Sequence, residues 1–382
     1  MRIAGAERKA IDANIKDVLD RQVFSPYYVN PKGGKYVQEL ERQFATYHGR
    51  KHAIAVSSGT AALHIALESL WLPKGSVVLT SPYTFLASAT SILMAGHIPM
   101  FSDIDPYDFC INAWVKPEEK VPENLAAVIP VHLFGYPAAY RQFLRNRVFA
   151  VDPYEDEDEL YLNIPVIEDC AQSLGAKRDG VLTGKEGTLA CFSFQETKTI
   201  MSGEGGMILT DDDELEYRCR ALRSHGSQYV GYPRLSWNYR MTELQAAVGV
   251  AEFETLDQKL TLQRDNAKKI IQDLPRDLKH FVEPELAHSY FILALYASDS
   301  KRRDRFISLL PKWQPKPGKT ISAGYQELLY DKPVLKEYAP TWDCPMAREV
   351  MKHSIWLDIH RFRDWWEVEK DWEMIKELWE KA

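Results

Sequence analysis

Two short segments contain residue types suited to acid–base and covalent chemistry. Glu168 and Asp169 end an apolar run, and adjacent strand side chains point to opposite faces, so one carboxylate should face a ligand crevice. Lys198 follows a second apolar run and precedes the glycine-rich segment 203–206. A lysine on such a turn could form a Schiff base with an aldehyde cofactor if its pKa is lowered. Taken singly, a helix-capping aspartate and an exposed lysine are the simpler interpretations.

A third segment has the features of an anion site. Ser58, Gly59 and Thr60 lie between a predicted strand and a predicted helix, where backbone N–H groups and the helix N-terminus favour an anion. The same residues could also form an ordinary helix cap. Together with Asp169 and Lys198 they supply what pyridoxal 5′-phosphate needs: an anion site, an acid partner for the pyridine nitrogen and an amine for the aldehyde. Two nearby side chains could contact the ring of this cofactor. They are Phe85, which could equally be a core aromatic residue, and Gln172.

The elements that must position these residues alternate between helix and strand. Apolar residues at helical spacing predict helices over 36–44 and 61–70. Short apolar runs predict strands over 52–56, 76–79, 98–101, 126–130, 166–167, 189–194 and 207–210. Such alternation implies a mainly parallel sheet covered by helices. We expect a three-layer α/β/α fold with a large domain over 1–255 and a smaller C-terminal α+β domain over 256–382.

Composition and charge argue against several other classes of protein. The 382 residues are 45% hydrophobic and 26% charged, which is typical of a globular chain. A net charge of -7 gives no electrostatic basis for binding nucleic acid or an anionic membrane. No apolar run suits a membrane helix, the first residues do not resemble a signal peptide, and the five cysteines include no Cys-x-x-Cys pair. We therefore expect a cytoplasmic protein without a disulfide framework or a metal site.

Residues near the end of the chain predict an amphipathic helix. Those at helical spacing are Trp365, Val368, Trp372, Ile375 and Trp379. We expect this helix to bury an aromatic face against its own domain, and a partner-binding helix is the alternative. The acidic run over 152–159 is interpreted as a solvated loop rather than a metal site.

Six segments, taken in order, resemble one family. They are Ser58–Leu63, Pro130–Gly135, Ile167–Gln172, Ser193–Lys198, Gly203–Gly206 and Asn238–Ala247. They are similar to the nucleotide-sugar aminotransferases of the DegT/DnrJ/EryC/StrS family, within the aspartate aminotransferase-like enzymes of fold type I. The resemblance covers about Phe24 through Asp257. It implies a pyridoxal-phosphate aminotransferase that moves an amino group from an amino acid, with glutamate as the expected donor, to a nucleotide-linked keto-sugar. Pyridoxamine phosphate would be the intermediate form of the cofactor.

The resemblance also implies roles for the matching residues. Lys198 would bind the cofactor covalently and move a proton, while Asp169 would pair with the pyridine nitrogen. The implied cofactor-binding residues are Ser58, Gly59, Thr60, Phe85, Asp169, Gln172, Ser193, Lys198 and Asn238. Asn238 would reach the phosphate of the neighbouring subunit, because this family builds its sites at a homodimer interface. His225 and Tyr325 are implied substrate contacts.

Departures from the family pattern leave the substrate open. Gly324-Tyr325 stands where the family often has a His-Tyr pair, and the segment 356–360 replaces the usual Leu-Pro motif. One alternative is therefore an acceptor that is a cyclitol ketone or another modified metabolite. A second is a non-catalytic regulator that kept the fold, which retention of Lys198 and Asp169 argues against. A related branch of sugar dehydratases replaces the lysine with histidine, so Lys198 also argues against that activity.

Overall fold

The structure is a computed structural model of the single chain. It describes residues 5–111, 122–140, 164–226, 229, 231–280, 286–310, 321–337, 343–359 and 365–382. The acidic run over 152–159 and His360 lie outside these residues, so the loop interpretation of that run stays a prediction. Within the described residues, no helix combines the length and the apolar character needed to cross a bilayer.

Eleven α-helices occur in the described part of the chain. They are α1 (Gly5–Arg21), α2 (Lys35–His48), α3 (Gly59–Ser69), α4 (Ala87–Met94), α5 (Asp213–Arg223), α6 (Glu243–Phe253), α7 (Leu256–Gln272), α8 (Ser300–Leu309), α9 (Pro333–Lys336), α10 (Pro345–His353) and α11 (Trp365–Lys381). The helices predicted over 36–44 and 61–70 are present as α2 and α3. Helix α3 is buried on most sides because its segment Ala61–Leu67 is apolar apart from His64, and it packs against α4, α5 and strands of the sheet.

The strands that the structure describes are mostly short. They are β1 (His52–Val56), β2 (Val77–Thr80), β3 (Ile98–Phe101), β4 (Leu125–Ile129), β5 (Ile167–Asp169), β6 (Lys177–Arg178), β7 (Val181–Leu182), β8 (Leu189–Ser193), β9 (Gly206–Thr210), β10 (Leu278–Lys279), β11 (Leu286–Ala287), β12 (Leu293–Ala297), β13 (Ile321–Ser322) and β14 (Ser354–Leu357). Each apolar run predicted to be a strand corresponds to one of β1–β5, β8 and β9. Their near-complete burial explains why the runs are apolar without alternation.

Seven of these strands lie in the order β3-β2-β4-β5-β8-β9-β1, as a three-stranded and a four-stranded sheet that parallel bridges join between β4 and β5. The pairs β3-β2, β2-β4 and β5-β8 are parallel. Strands β4 and β5 join the two halves through parallel bridges of Val128 to Val166 and Val131 to Asp169. Strand β9 is antiparallel to both of its neighbours. The prediction of a mainly parallel sheet is therefore confirmed, and β1, β2, β4, β5 and β8 all end at the same edge, where ligands bind in such sheets.

A second sheet is formed after residue 256. Its order is β10-β12-β14-β13, with all pairs antiparallel. Helix α11 packs on it through Val368, Trp372, Ile375 and Trp379, which belong to one buried cluster with residues of β12 and β14. The predicted burial of these four side chains against their own part of the chain is confirmed, and the side chain of Trp365, also predicted to be buried, lies outside the described residues. The boundary between domains at residue 255 stays a prediction.

Candidate active site

A cavity of about 570 Å³ opens at the edge where the parallel strands end. Nine of the predicted site residues line it: Ser58, Gly59, Thr60, Phe85, Asp169, Gln172, Ser193, Lys198 and Tyr325. Most of them follow directly from the topology, because they end a strand or begin the next element at that edge. The C-terminal part of the chain closes another side of the cavity with Phe291, Trp356 and Asp358.

The anion cradle is built from the start of α3 and the end of β8. Ser58 caps the helix, its Oγ accepting a hydrogen bond from the N–H of Ala61 at 3.1 Å. A Cβ atom on Gly59 would lie 2.8 Å from the Cβ of Ser193, so only glycine permits this close approach. The helix N-terminus and the hydroxyl groups of Thr60 and Ser193 therefore border one small space, as an anion site requires.

Asp169 is the carboxylate that faces the cavity. Its Oδ2 accepts a hydrogen bond from the Oγ of Ser88 at 2.8 Å, and its Oδ1 accepts one from the N–H of Ala171 at 3.1 Å. Burial raises the pKa of Asp169, although both hydrogen bonds and the charge of Lys198 oppose this increase. A carboxylate in such a place favours a partner that brings a proton or a positive charge.

Glu168 points to the opposite face and has a different environment. It accepts hydrogen bonds from the N–H groups of Gly184 and Glu186, at 2.7 and 2.9 Å, and from Nε2 of His132 at 2.9 Å. Burial alone would raise the pKa of Glu168, but hydrogen bonds from His132 and from backbone N–H groups lower it to about 2. This carboxylate thus binds the loop around residue 184 through charged hydrogen bonds. The sequence left open which of the two carboxylates faces the cavity, and in the structure it is Asp169.

Lys198 lies on the turn between β8 and β9. Its N–H donates to the carbonyl of Gln195 at 2.8 Å, and Gly203 closes the turn with a positive φ of 80°. The Nζ atom is 4.7 Å from the centre of the Phe291 ring. Burial lowers the pKa of Lys198 to about 8, while the carboxylates of Asp169 and Asp358 act in the opposite direction. An amine with this pKa can serve as a nucleophile and as a base near neutral pH.

Three other predicted residues line the same cavity as Lys198. The Oε1 atom of Gln172 accepts a hydrogen bond from the N–H of Phe134 at 2.9 Å, which fixes the amide at the cavity wall. Tyr325 contacts the ring of Trp356 edge to face, with the ring centres 4.6 Å apart. Phe85 lies at the mouth of the cavity with 62% of its surface exposed, so it is available to stack on a ring and is no core residue.

Two predicted residues do not line the cavity of their own chain. His225 and Asn238 are both exposed, on neighbouring strands of backbone that meet where Ser224 pairs with Asn238. The structure therefore does not bring them together with Lys198 within one chain. Their roles at the site of a neighbouring subunit or beside the substrate stay predictions.

The cavity wall also contains residues that the sequence did not indicate, among them Ser88, Phe291, Trp356 and Asp358. Ser88 gave no signal because its bond to Asp169 is a tertiary contact between distant segments. Phe291 gave no signal because no pattern in the sequence distinguishes it from a core aromatic residue. Trp356 and Asp358 lie in the segment already noted as a departure from the family, and that departure was the signal that could have found them.

Comparison with known proteins extends this picture. The sequence profile of the DegT/DnrJ/EryC1/StrS aminotransferase family matches residues 7–363. The chain belongs to this family. It is therefore a pyridoxal-phosphate-dependent aminotransferase of fold type I, as predicted. A relative named GDP-perosamine synthase, from Caulobacter vibrioides, is 36% identical over 257 residues, which are 66% of either chain.

Two further matches cover more of this aminotransferase. A protein from Geobacillus stearothermophilus named "Pleiotropic regulatory protein" is 36% identical over 302 residues, 78% of this chain and 76% of the relative. The solved structure of DesV from S. venezuelae has a TM-score of 0.83 at 25% identity, covering 98% of this chain and 95% of that one. The fold thus extends over the C-terminal part, where the resemblance noted from motifs fades.

Proposed function

We propose that this aminotransferase moves an amino group from an amino acid, with glutamate as the first donor to test, to a nucleotide-linked keto-sugar. The observation that carries the proposal is the convergence of the α3 N-terminus, Asp169 and Lys198 on one cavity. The name GDP-perosamine synthase, borne by a relative, supports a sugar nucleotide as the acceptor. We also propose that the protein is cytoplasmic, because its five buried cysteines are all free thiols, as is usual in a reducing compartment.

The residues present fit the cofactor that the family uses. The space that a Cβ of Gly59 would fill is bordered by hydroxyl groups and a helix N-terminus, and these groups would hold the phosphate. Asp169 would hold the protonated ring nitrogen, and its two hydrogen bonds already orient the carboxylate for this contact. Phe85 and Gln172 would bind the ring. When bound, the cofactor supplies an electron sink for the charge that develops at the substrate carbon.

Lys198 performs the proton transfers in this proposal. Because its pKa is about 8, a useful fraction of the amine is neutral near neutral pH. The Nζ atom can then take the proton from the donor's α-carbon and later deliver a proton to the carbon of the acceptor. The aromatic side chains of Phe291 and Trp356 exclude water from the C-terminal side of the cavity during these transfers.

We further propose that the active unit is a homodimer with shared sites. Support comes from exposed apolar side chains near Asn238 in the sequence and on the segment before α2: Leu235 is 86% exposed, Tyr28 72% and Val29 90%. In a dimer with twofold symmetry, such a surface on one subunit can complete the cavity of the other. We also retain the proposed domains at 1–255 and 256–382, the first contributing Lys198 and the second Asp358.

The proposed reaction is tested by a screen of donors against acceptors, with products identified by mass. Glutamate and glutamine are each combined with a panel of nucleotide-linked keto-sugars and a panel of cyclitol ketones. We expect an increase in mass that corresponds to replacement of a carbonyl oxygen by an amine on a sugar nucleotide. Turnover confined to cyclitols would instead establish the alternative acceptor. The name of the Geobacillus relative favours a second candidate, a non-catalytic regulator, which would turn over no donor in this screen.

The shared site is tested by complementation. Two inactive variants, Lys198→Ala and Asn238→Ala, are mixed under conditions of subunit exchange. A heterodimer then has one site with an intact lysine from one chain and an intact asparagine from the other, so activity should return. Mixtures that contain heterodimers but stay inactive would show that Asn238 acts within its own chain.

A further inference from the structure

Asp358 places a second carboxylate in the cavity from the C-terminal sheet. It directly follows β14, in which Ile355 and Leu357 are buried in the core of that sheet. Alternate residues of a strand share a face, so Trp356 and Asp358 both point away from that core, and both line the cavity. The segment is the one in which the Leu-Pro motif of the family is replaced. Asp358 therefore adds a negative charge to the cavity from a segment that departs from the family pattern.

The charges around Lys198 can be counted among the lining residues that the structure describes. The carboxylates are those of Asp169 at the end of β5, Glu204 in the turn before β9 and Asp358 in the C-terminal part, and Tyr325 is a neutral titratable neighbour. Lys198 is the cationic member of this set. Asp169 is held by Ser88 and Ala171 in the orientation proposed for its contact with the cofactor ring. Its charge is therefore assigned to the ring nitrogen rather than to Lys198. Glu204 is exposed, and solvent screens its charge more strongly.

We propose that Asp358 is a positioning residue for Lys198, whose ammonium group it attracts from the C-terminal side of the cavity. The aromatic face of Phe291, 4.7 Å from Nζ, stabilises the same charged group. The attraction of Asp358 and the ring of Phe291 together hold the side chain in the cavity whenever its amine is free. Asp358 also counters part of the effect of burial on the pKa of Lys198. This inference rests on the proposed role of Lys198 as the residue that binds the cofactor.

The test measures the pKa of Lys198 in the full-length protein freed of cofactor. The rate at which acetic anhydride acetylates Lys198 is followed against pH by mass spectrometry of its peptide. We expect Asp358→Asn to lower this pKa by about half to one pH unit, and Asp358→Glu to retain most of the wild-type value. Glu204→Gln is the matched control, because it removes a carboxylate from the same cavity and should leave the pKa unchanged. A role in folding alone would not move the pKa.

A second variant guards against misfolding of the first. Asp358→Ala removes the carboxylate without introducing another polar group and should lower the pKa in the same direction. A Lys198 pKa equal to that of wild type in both variants, each with a wild-type thermal midpoint, would overturn the proposal. An equal decrease in Glu204→Gln would also overturn it, because the effect would then belong to the cavity as a whole. Failure of the proposed function has a different signature: the pKa shifts as expected, but borohydride traps no cofactor on Lys198 in the wild type.

Discussion

The two sides of the cavity differ in how the chain builds them. On the side of the large sheet, Ser58, Asp169 and Lys198 come from strand ends at one edge, within segments that match the family. On the other side, Tyr325, Trp356 and Asp358 come from the C-terminal sheet and its loops, within segments that depart from it. We infer that the first side carries chemistry common to the family and that the second adapts this chemistry to a particular substrate.

The strongest test of this comparison removes the amine on the sheet side. We expect Lys198→Ala to lose at least about 10⁴-fold in turnover, because both the covalent attachment and the proton transfers depend on Nζ. Borohydride reduction followed by peptide mass analysis should find cofactor on Lys198 in the wild type and none in the variant. Lys177→Ala, which removes an exposed lysine of β6, is the control and should behave as the wild type. Wild-type turnover in Lys198→Ala would refute the assignment.

The next test compares the two adjacent carboxylates. Asp169→Asn should still fold and bind cofactor, but it should turn over more slowly by a factor on the order of 10³, because the ring nitrogen loses its charged partner. Glu168→Gln should act differently, since this side chain accepts bonds from Gly184, Glu186 and His132 on the far face. We expect it to lower the free energy of unfolding by about 2–4 kcal/mol, measured by urea denaturation at pH 7.

The outcome of this pair bears directly on the comparison. If Asp169→Asn stays within about threefold of wild-type turnover, the sheet side does not use this carboxylate as proposed. If Glu168→Gln unfolds like the wild type, the hydrogen bonds around residue 184 contribute little to stability. Either result would show that a residue can match a family motif without having the expected role in this chain.

The sequence predicted the sheet side of the cavity well, for a physical reason. In a mainly parallel sheet the active edge is set by topology, so a strand pattern and a few polar residues at strand ends already indicate which side chains meet. Period-two alternation showed that Glu168 and Asp169 diverge, but not which faces the cavity, because the partners that decide this come from distant loops. Ser88 could not be predicted either, because its hydrogen bond to Asp169 joins segments that are far apart in the sequence. The C-terminal wall depends on how a second sheet packs against the first, and no local pattern encodes that packing.

A smaller effect, on cofactor affinity, is expected from a substitution of Gly59, where the start of α3 approaches the end of β8. A Cβ on Gly59 would lie 2.8 Å from that of Ser193, so Gly59→Ala must push α3 away from β8 and widen the anion cradle. We expect cofactor affinity to decrease by about 10- to 100-fold, a cost of roughly 1–3 kcal/mol. Equilibrium dialysis with pyridoxal phosphate measures this loss. Gly5→Ala is the matched control, because nothing lies within 4 Å of the added Cβ. Equal affinities in the two variants would mean that the phosphate is bound elsewhere.

The smallest expected effect tests the C-terminal side. Tyr325→Phe removes one hydroxyl and keeps the ring contacts with Tyr83 and Trp356, at 5.4 and 4.6 Å between ring centres. One hydrogen bond contributes about 0.5–1.5 kcal/mol, so we expect kcat/KM for the acceptor to decrease by about 2- to 10-fold. The half-reaction with the donor should change less, because the chemistry of the sheet side is intact. Single-turnover measurements of each half-reaction make the distinction, with Tyr217→Phe on the surface of α5 as the control. Equal losses in both half-reactions would show that the C-terminal side takes part in the common chemistry, and the division between the two sides would then have to be abandoned.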